Sequence, residues 1–301
     1  MVSGGFADVD TLESMIMPDS LKQPLVSVVI PTWNRPDTLR RALESVCRQS
    51  WPAWEIVVAD EGGHEATPSI VREFTDSRIR YYRHDARLGF LGNWTFGIRH
   101  ARGEWLAILG DDDYYRPDFL ANRMEIIRQH PSVVAVTGTF VCCDAQGNEL
   151  WRSRAFTAGE GVVSGADLRA VTMSRTGDWF NGATLYQRSL VDALWEKIAP
   201  AGSALDLALN AYLATAPDAS LGLVQRWDMV LTRHPGQESI VHQFQLGRGG
   251  AIFALVMALA DADRVARQPG LRRWLAVKVN EHARQNWDVG NLSSARTLRQ
   301  P

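Results

Sequence analysis

Between residues 25 and 127, short β-branched runs alternate with segments of helical periodicity, and the connections are short. That rhythm is the tightest constraint on what the chain can fold into. Strands read at 25–30, 54–59, 79–82 and 105–109, as apolar runs bounded by turn residues. The first is stopped by Pro31. Pro36 suits the first turn of a helix, where its missing N–H costs nothing. Leu39, Ala42, Leu43, Val46 and Cys47 then share one helical face. Thr67-Pro68 opens a helix running toward Asp76. Leu91, Trp94, Ile98 and Ala101 line another, and Leu120, Met124 and Ile127 a third beyond Pro117. Strand and helix in strict alternation predict βαβ units and a mostly parallel, doubly wound α/β sheet with helices on both faces.

After residue 132 the rhythm changes. Segments 133–143 and 150–156 flank the polar turn Asp144-Ala145-Gln146-Gly147-Asn148 and predict an antiparallel hairpin. Helices are expected around 165–175, 188–197 and 204–215, and a strand at 221–232. From Gly249 onward the pattern is helical, with one break at Pro269-Gly270. The expected organisation is a variable arm over 1–23, a folded domain over 24–246 and a helical extension over 247–301.

Composition narrows the function classes. The chain is 301 residues long, 46% hydrophobic and 22% charged, which fits a globular protein. A formal net charge of −2 argues against a nucleic-acid binder, which carries a basic excess. The three cysteines, Cys47, Cys142 and Cys143, have neither zinc spacing nor a disulfide pattern, which fits a reducing cytoplasm. The N-terminal stretch lacks the basic-then-apolar pattern of a secretion signal. The apolar run 251–260 is too short to span a bilayer, which takes about 20 residues.

The chemistry concentrates where the apolar run at 105–109 ends in Gly110-Asp111-Asp112-Asp113. Adjacent carboxylates raise one another's pKa and call for a compensating cation. In open α/β sheets, ligands sit beyond the carboxyl ends of the strands. These acids are therefore expected to hold a divalent metal, and the metal a diphosphate.

Three stretches in order, Val28-Val29-Ile30-Pro31-Thr32-Trp33-Asn34-Arg35, Ile56-Val57-Val58-Ala59-Asp60-Glu61-Gly62 and 103–113 with Pro117 and Leu120 beyond, resemble glycosyltransferase family 2. The resemblance covers about residues 25–245 and implies a catalytic domain over 24–246, with a nucleotide-sugar half, 24–131, and an acceptor half, 132–246. It implies a GT-A type fold, Rossmann-like with a mostly parallel central sheet, and inverting transfer from a nucleotide-sugar donor with Mg²⁺ or Mn²⁺. By the same resemblance, Pro31, Thr32, Trp33, Asn34 and Arg35 lie along the nucleotide. Asp60 matches the acid that reads the pyrimidine edge, and Glu61 stands where a second Asp is usual. Asp112 matches the principal metal ligand, with Asp111 as a ribose or metal contact. Gly110 occupies the place where the first Asp of Asp-x-Asp often lies. Arg87 replaces a usual Asn, while Gly89 and Asn93 are retained, Asn93 as a nucleotide-sugar contact. Arg233 and His234 belong to a loop that closes near the diphosphate, His234 as a second metal ligand. Asp206 occupies the place of the catalytic base, and Asp178, Trp179 and Asn181 are candidates to line the acceptor pocket.

These residue types suit the reaction. A nucleoside diphosphate leaves only when its developing charge is stabilised, which a divalent cation does as a Lewis acid. Such ions take one or two protein carboxylates and fill the rest of their shell with phosphate and water. A positioned carboxylate suffices to take the acceptor hydroxyl's proton. The expected function is metal-dependent transfer from a UDP- or dTDP-sugar to a sugar, lipid-linked or natural-product hydroxyl. A nucleotidyltransferase and a non-catalytic nucleotide-sugar-binding protein are the alternatives. The helical extension admits packing on the catalytic domain, a homodimer contact or peripheral contact with the inner face of the membrane.

Overall fold

The computed structural model describes residues 23–164, 181–199, 213 and 219–234. Among these, ten strands form one mixed, mostly parallel sheet in the order β3-β2-β1-β4-β9-β6-β10-β5, with β7 added to β6 and β8 to β10. The strands are β1 (Val26–Thr32), β2 (Trp54–Asp60), β3 (Ile79–Arg83), β4 (Trp105–Ile108), β5 (Tyr114–Tyr115), β6 (Val133–Asp144), β7 (Glu149–Arg152), β8 (Gly161–Ser164), β9 (Leu185–Gln187) and β10 (Ser220–Arg233). The helices are α1 (Pro36–Cys47), α2 (Thr67–Arg72), α3 (Gly89–His100), α4 (Phe119–Gln129) and α5 (Arg188–Ile198). No helix among the described residues is long and apolar enough to cross a membrane.

The expected βαβ half is present. β1 pairs in parallel with β2 on one side and β4 on the other, and β2 with β3. Side chains alternate across the sheet. Val28, Ile30, Ile56, Val58 and Ala107 face Leu39, Leu43, Phe119 and Met124 of α1 and α4. Val29, Val57, Leu106 and Ile108 face Ile98, Val191 and Leu194 of α3 and α5. A sheet covered on both faces needs strands that are apolar throughout, which is why these segments read as continuous runs.

α3 comes unusually close to the sheet. A Cβ at Gly97 would overlap Val29 Cγ1 and lie within contact of Ala59. Gly97→Ala is expected to cost about 1–3 kcal/mol through overpacking. Urea denaturation of the variant measures this, and an unchanged midpoint would mean that the sheet and helix can separate freely there.

Beyond α4 the order departs from simple doubly wound topology. β9 enters antiparallel between β4 and β6, and β10 then pairs with β6 in parallel. The 133–143 and 150–156 hairpin is seen as β6 and β7, with the second strand confined to Glu149–Arg152. The helix expected at 188–197 is α5. The helices expected at 165–175 and 204–215, the arm before residue 23 and the extension 247–301 fall wholly or largely outside the described residues.

Candidate active site

Parallel register brings three strand ends to one edge. Thr32 lies opposite Asp60, and Val29 opposite Ile108, so the turns after β1, β2 and β4 open side by side. The Asp111–Asp113 run sits there fully enclosed, each residue under 7% exposed.

Each acid has a distinct attachment. Asp111 Oδ2 accepts from Thr32 Oγ1 at 2.7 Å, and its Oδ1 from Arg35 Nη1 at 3.0 Å. Asp112 Oδ2 meets Arg35 Nη1 at 3.1 Å and His234 Nε2 at 3.0 Å. Asp113 Oδ1 accepts the backbone N–H of Thr232 at 2.8 Å. Arg41, reaching over from α1, donates to the Asp112 carbonyl at 2.7 Å and to Thr232 Oγ1 at 2.8 Å. Asp113 and Arg41 therefore fasten the end of β10, and that end delivers His234 to Asp112. Gly110 is part of the same packing. A Cβ there would lie 2.8 Å from Asp112 Oδ1, so a bare backbone leaves room for the metal-candidate carboxylate.

Burial and the neighbouring Asp112 charge push the Asp111 carboxyl up to about 6, with Arg35 and Thr32 acting against the rise. Asp113 is pushed well above the usual carboxylate range by burial and Asp112, against the Thr232 N–H. A folded pKa above the unfolded value means that the group's contribution to stability is present below the unfolded pKa. It is lost as pH rises through the folded pKa. The metal-free protein should therefore lose on the order of 2 kcal/mol from Asp111 alone between pH 4 and pH 7.5. Denaturant melts in EDTA across that range test this. The slope should flatten in Asp111→Asn, and an equal slope in both proteins would reject the assignment.

A second group surrounds the end of β2. Asp60 is fully buried, with Oδ1 accepting from Gly62 N–H at 2.9 Å and Oδ2 from Tyr81 Oη at 2.6 Å. Burial and the Asp60 contact raise the Tyr81 pKa, so Tyr81 stays a donor. Glu61 is buried and its Oε2 faces Arg87 Nε at 3.4 Å. Trp33 is 42% exposed, and the Arg87 guanidinium stacks 3.7 Å over its ring. Asn34 takes a left-handed φ of 60°, a conformation Asn tolerates better than most residues. Asn93 Nδ2 donates to the Ala59 carbonyl at 2.9 Å.

The structure thus brings together Thr32, Arg35, Asp111, Asp112 and His234, and groups Trp33, Asn34, Asp60, Glu61 and Asn93 beside them. Pro31 is part of β1 itself, and Arg233 is exposed at the end of β10. Asn181 lies farther along, on a 3₁₀ turn at Asn181–Ala183, where its Oδ1 accepts from Tyr186 Oη at 2.6 Å. Asp178, Trp179 and Asp206 lie outside the described residues. Sequence reasoning missed Arg41, Thr232 and Tyr81, and saw Arg87 only as a departure from a motif. Nothing in their local spacing marks them, because each acts across the fold.

No three His, Cys, Asp or Glu side chains converge as a closed metal cage among the described residues. Asp112 Oδ2 and His234 Nε2, 3.0 Å apart, offer two ligands at one place. Two ligands fit a hard divalent ion that completes its shell from phosphate and water.

The chain has relatives among known proteins. The family model described as "Glycosyl transferase family 2" matches residues 27–195, more than half of the chain. The chain belongs to that family. Among curated relatives, the succinoglycan biosynthesis protein ExoO of Rhizobium meliloti is 39% identical over 104 residues, 35% of this chain and 30% of that protein. The UDP-Glc:alpha-D-GlcNAc-diphosphoundecaprenol beta-1,3-glucosyltransferase WfgD of Escherichia coli is 31% identical over 102 residues, 34% of this chain and 39% of that protein. The matched stretch thus spans about a third of the length of these relatives. The fold agrees over a longer span with S. aureus TarS 1-349, solved in complex with UDP. The TM-score is 0.63 at 17% identity, covering 86% of this chain and 71% of that one.

Proposed function

We propose that this family 2 chain is a metal-dependent inverting glycosyltransferase that moves a sugar from a UDP- or dTDP-sugar to an acceptor hydroxyl. The observation that carries this is the meeting of Asp112 with His234 and Arg35 at the carboxyl ends of the parallel strands. Asp112 and His234 are the residues that would hold Mg²⁺ or Mn²⁺. The ion, when bound, supplies Lewis-acid stabilisation of the diphosphate's developing charge.

The chain's own groups do the rest. Arg35 and Arg233 add positive charge where the diphosphate leaves. Asp111, fixed by Thr32 and Arg35, presents a carboxylate to the ribose or to the ion. Pro31, Trp33, Asn34, Asp60, Glu61 and Asn93 flank the nucleoside. Asp206 takes the acceptor hydroxyl's proton as that oxygen attacks the anomeric carbon from the face opposite the diphosphate; this role rests on the sequence resemblance. Asp178, Trp179 and Asn181 line the acceptor side in this reading, on the sequence alone.

The UDP in the TarS structure and the UDP-Glc donor of the WfgD glucosyltransferase support a pyrimidine donor. The lipid-linked acceptor of that glucosyltransferase favours work in the cytoplasm at the inner face of the membrane. A homodimer or membrane contact through 247–301 remains part of the proposal. The test is nucleoside diphosphate release from UDP- and dTDP-sugars with Mn²⁺, with and without EDTA, over a panel of sugar acceptors. EDTA should abolish release. Release that is unchanged in EDTA would overturn the metal assignment, and pyrophosphate release from a nucleoside triphosphate would point to a nucleotidyltransferase.

A further inference from the structure

Two basic side chains meet one carboxylate oxygen in the site. His234 Nε2 lies 3.0 Å from Asp112 Oδ2, and Arg35 Nη1 lies 3.1 Å from it. The same Arg35 nitrogen lies 3.0 Å from Asp111 Oδ1, so one nitrogen bridges two acids. Neighbouring carboxylates this deeply buried need a compensating cation, and here the chain brings its own.

The two bases differ in what they do beside a metal ion. A neutral imidazole has a lone pair and ligates. A guanidinium has five N–H donors and no acceptor, and it stays charged, so it can only oppose an ion at the same oxygen. Arg35 and a divalent ion therefore compete for Asp112, whereas His234 and Asp112 act together. Arg41 stands outside the contest, because it donates to the Asp112 backbone carbonyl and to Thr232.

Arg35 is placed so that it can leave. Its backbone is fixed at the start of α1, where its carbonyl accepts from the Leu39 N–H at 3.1 Å and from Thr38 Oγ1 at 3.3 Å. Its side chain, 25% exposed, is a long arm on that fixed point. Asp111 keeps Thr32 Oγ1 at 2.7 Å when the guanidinium withdraws. The planar fork of a guanidinium matches the oxygens of a phosphate.

We propose that Arg35 is the counter-ion of Asp111 and Asp112 until a metal ion displaces it from Asp112, and that it then passes to the donor's diphosphate. Arg35 thus restrains metal binding until a nucleotide arrives, and it couples the two ligands. This rests on the metal-dependent function proposed above and adds its regulation.

Binding of Mn²⁺ to the full chain, followed through the free-ion signal in electron paramagnetic resonance, tests this independently of activity. Without nucleotide, Arg35→Gln should bind Mn²⁺ at least about tenfold more tightly than wild type, since two charge-assisted bonds no longer compete. With UDP saturating, the two proteins should bind Mn²⁺ within about threefold of each other, because Arg35 has by then left Asp112. The factor by which UDP tightens Mn²⁺ should therefore fall in the variant, and by reciprocity so should the factor by which Mn²⁺ tightens UDP. Arg35→Lys keeps a cation on the same arm and should stay nearer to wild type than Arg35→Gln does. Melting curves confirm that each variant is folded. Mn²⁺ affinity unchanged or weakened in Arg35→Gln, an equal gain in Arg35→Lys, or undiminished coupling to UDP would overturn the proposal. EDTA-sensitive transfer by wild type would still leave the function above standing. Wild type that binds Mn²⁺ neither alone nor with UDP would remove both.

Discussion

Asp112→Asn should lower sugar transfer by about a thousandfold at saturating Mn²⁺, with the fold intact. The substitution keeps the size of the side chain and removes its charge. The backbone carbonyl of residue 112, which receives Arg41, is untouched, so the end of β10 keeps its fastening. The change falls on the one carboxylate oxygen that faces both Arg35 and His234. A neutral amide binds a hard divalent ion far less well than a carboxylate, and it leaves two basic groups pointing at one another. The loss should appear in kcat/KM and should lessen only in part as Mn²⁺ is raised. Asp113→Asn provides the contrast. Its Oδ1 accepts the Thr232 backbone N–H and neither Arg35 nor His234 is bonded to it, so its replacement should weaken the β10 attachment and reduce activity much less. Full transfer activity in Asp112→Asn would remove this carboxylate from the chemistry.

The reasons why the sequence disclosed that carboxylate also explain what it concealed. Strands enclosed on both faces are apolar throughout, so β1, β2 and β4 stand out from their surroundings, and acids directly after such a run can only lie at a strand end. Helix α1 was equally plain, because Leu39, Ala42, Leu43 and Val46 repeat at the helical period. β9 and β5 carried no such signal. They span three and two residues, too few for any period, and they exist because β4, β6 and β10 leave edges that need pairing. His234 could be singled out only by resemblance, since its approach to Asp112 depends on Asp113 and Arg41 holding β10 from a distance. Arg123 offered a local clue that composition disguised. It lies between Leu120 and Met124 on the inward face of α4, at a spacing where a charged residue must be buried with a partner. The partner is 105 residues away, and nothing in the order of the chain announces it.

That partner, Asp228, sets the largest expected effect on stability. Arg123 is wholly buried, and its Nη1 donates to both carboxylate oxygens of Asp228 at 3.0 and 3.1 Å. Nε and Nη2 donate to the Ala183 carbonyl, and Asn122 adds a bond to Asp228 at 2.8 Å. Burial lowers the guanidinium's pKa, and Asp228 opposes the shift. The backbone is arranged around this pair. Gly138 leaves space for the guanidinium, and the register of β10 against β6 slips between Val224 and Met229, with Trp227 at a φ of 45°. Asp228→Asn should cost about 3–5 kcal/mol, because it leaves a buried cation without its counter-charge. Arg123→Met should cost a similar amount by stranding the carboxylate. The double variant Arg123→Met/Asp228→Asn should be less destabilised than the sum of the two, since removing both charges ends the mismatch. Denaturant melts of the three proteins measure the coupling. Additive losses would show that the two groups act independently, against the geometry. The coupling also bears on function, because one pair ties α4 to the turn holding Asn181 and to the strand that leads into His234. Loosening it should disturb both sides of the proposed site together, whereas Asp113→Asn disturbs only the His234 side.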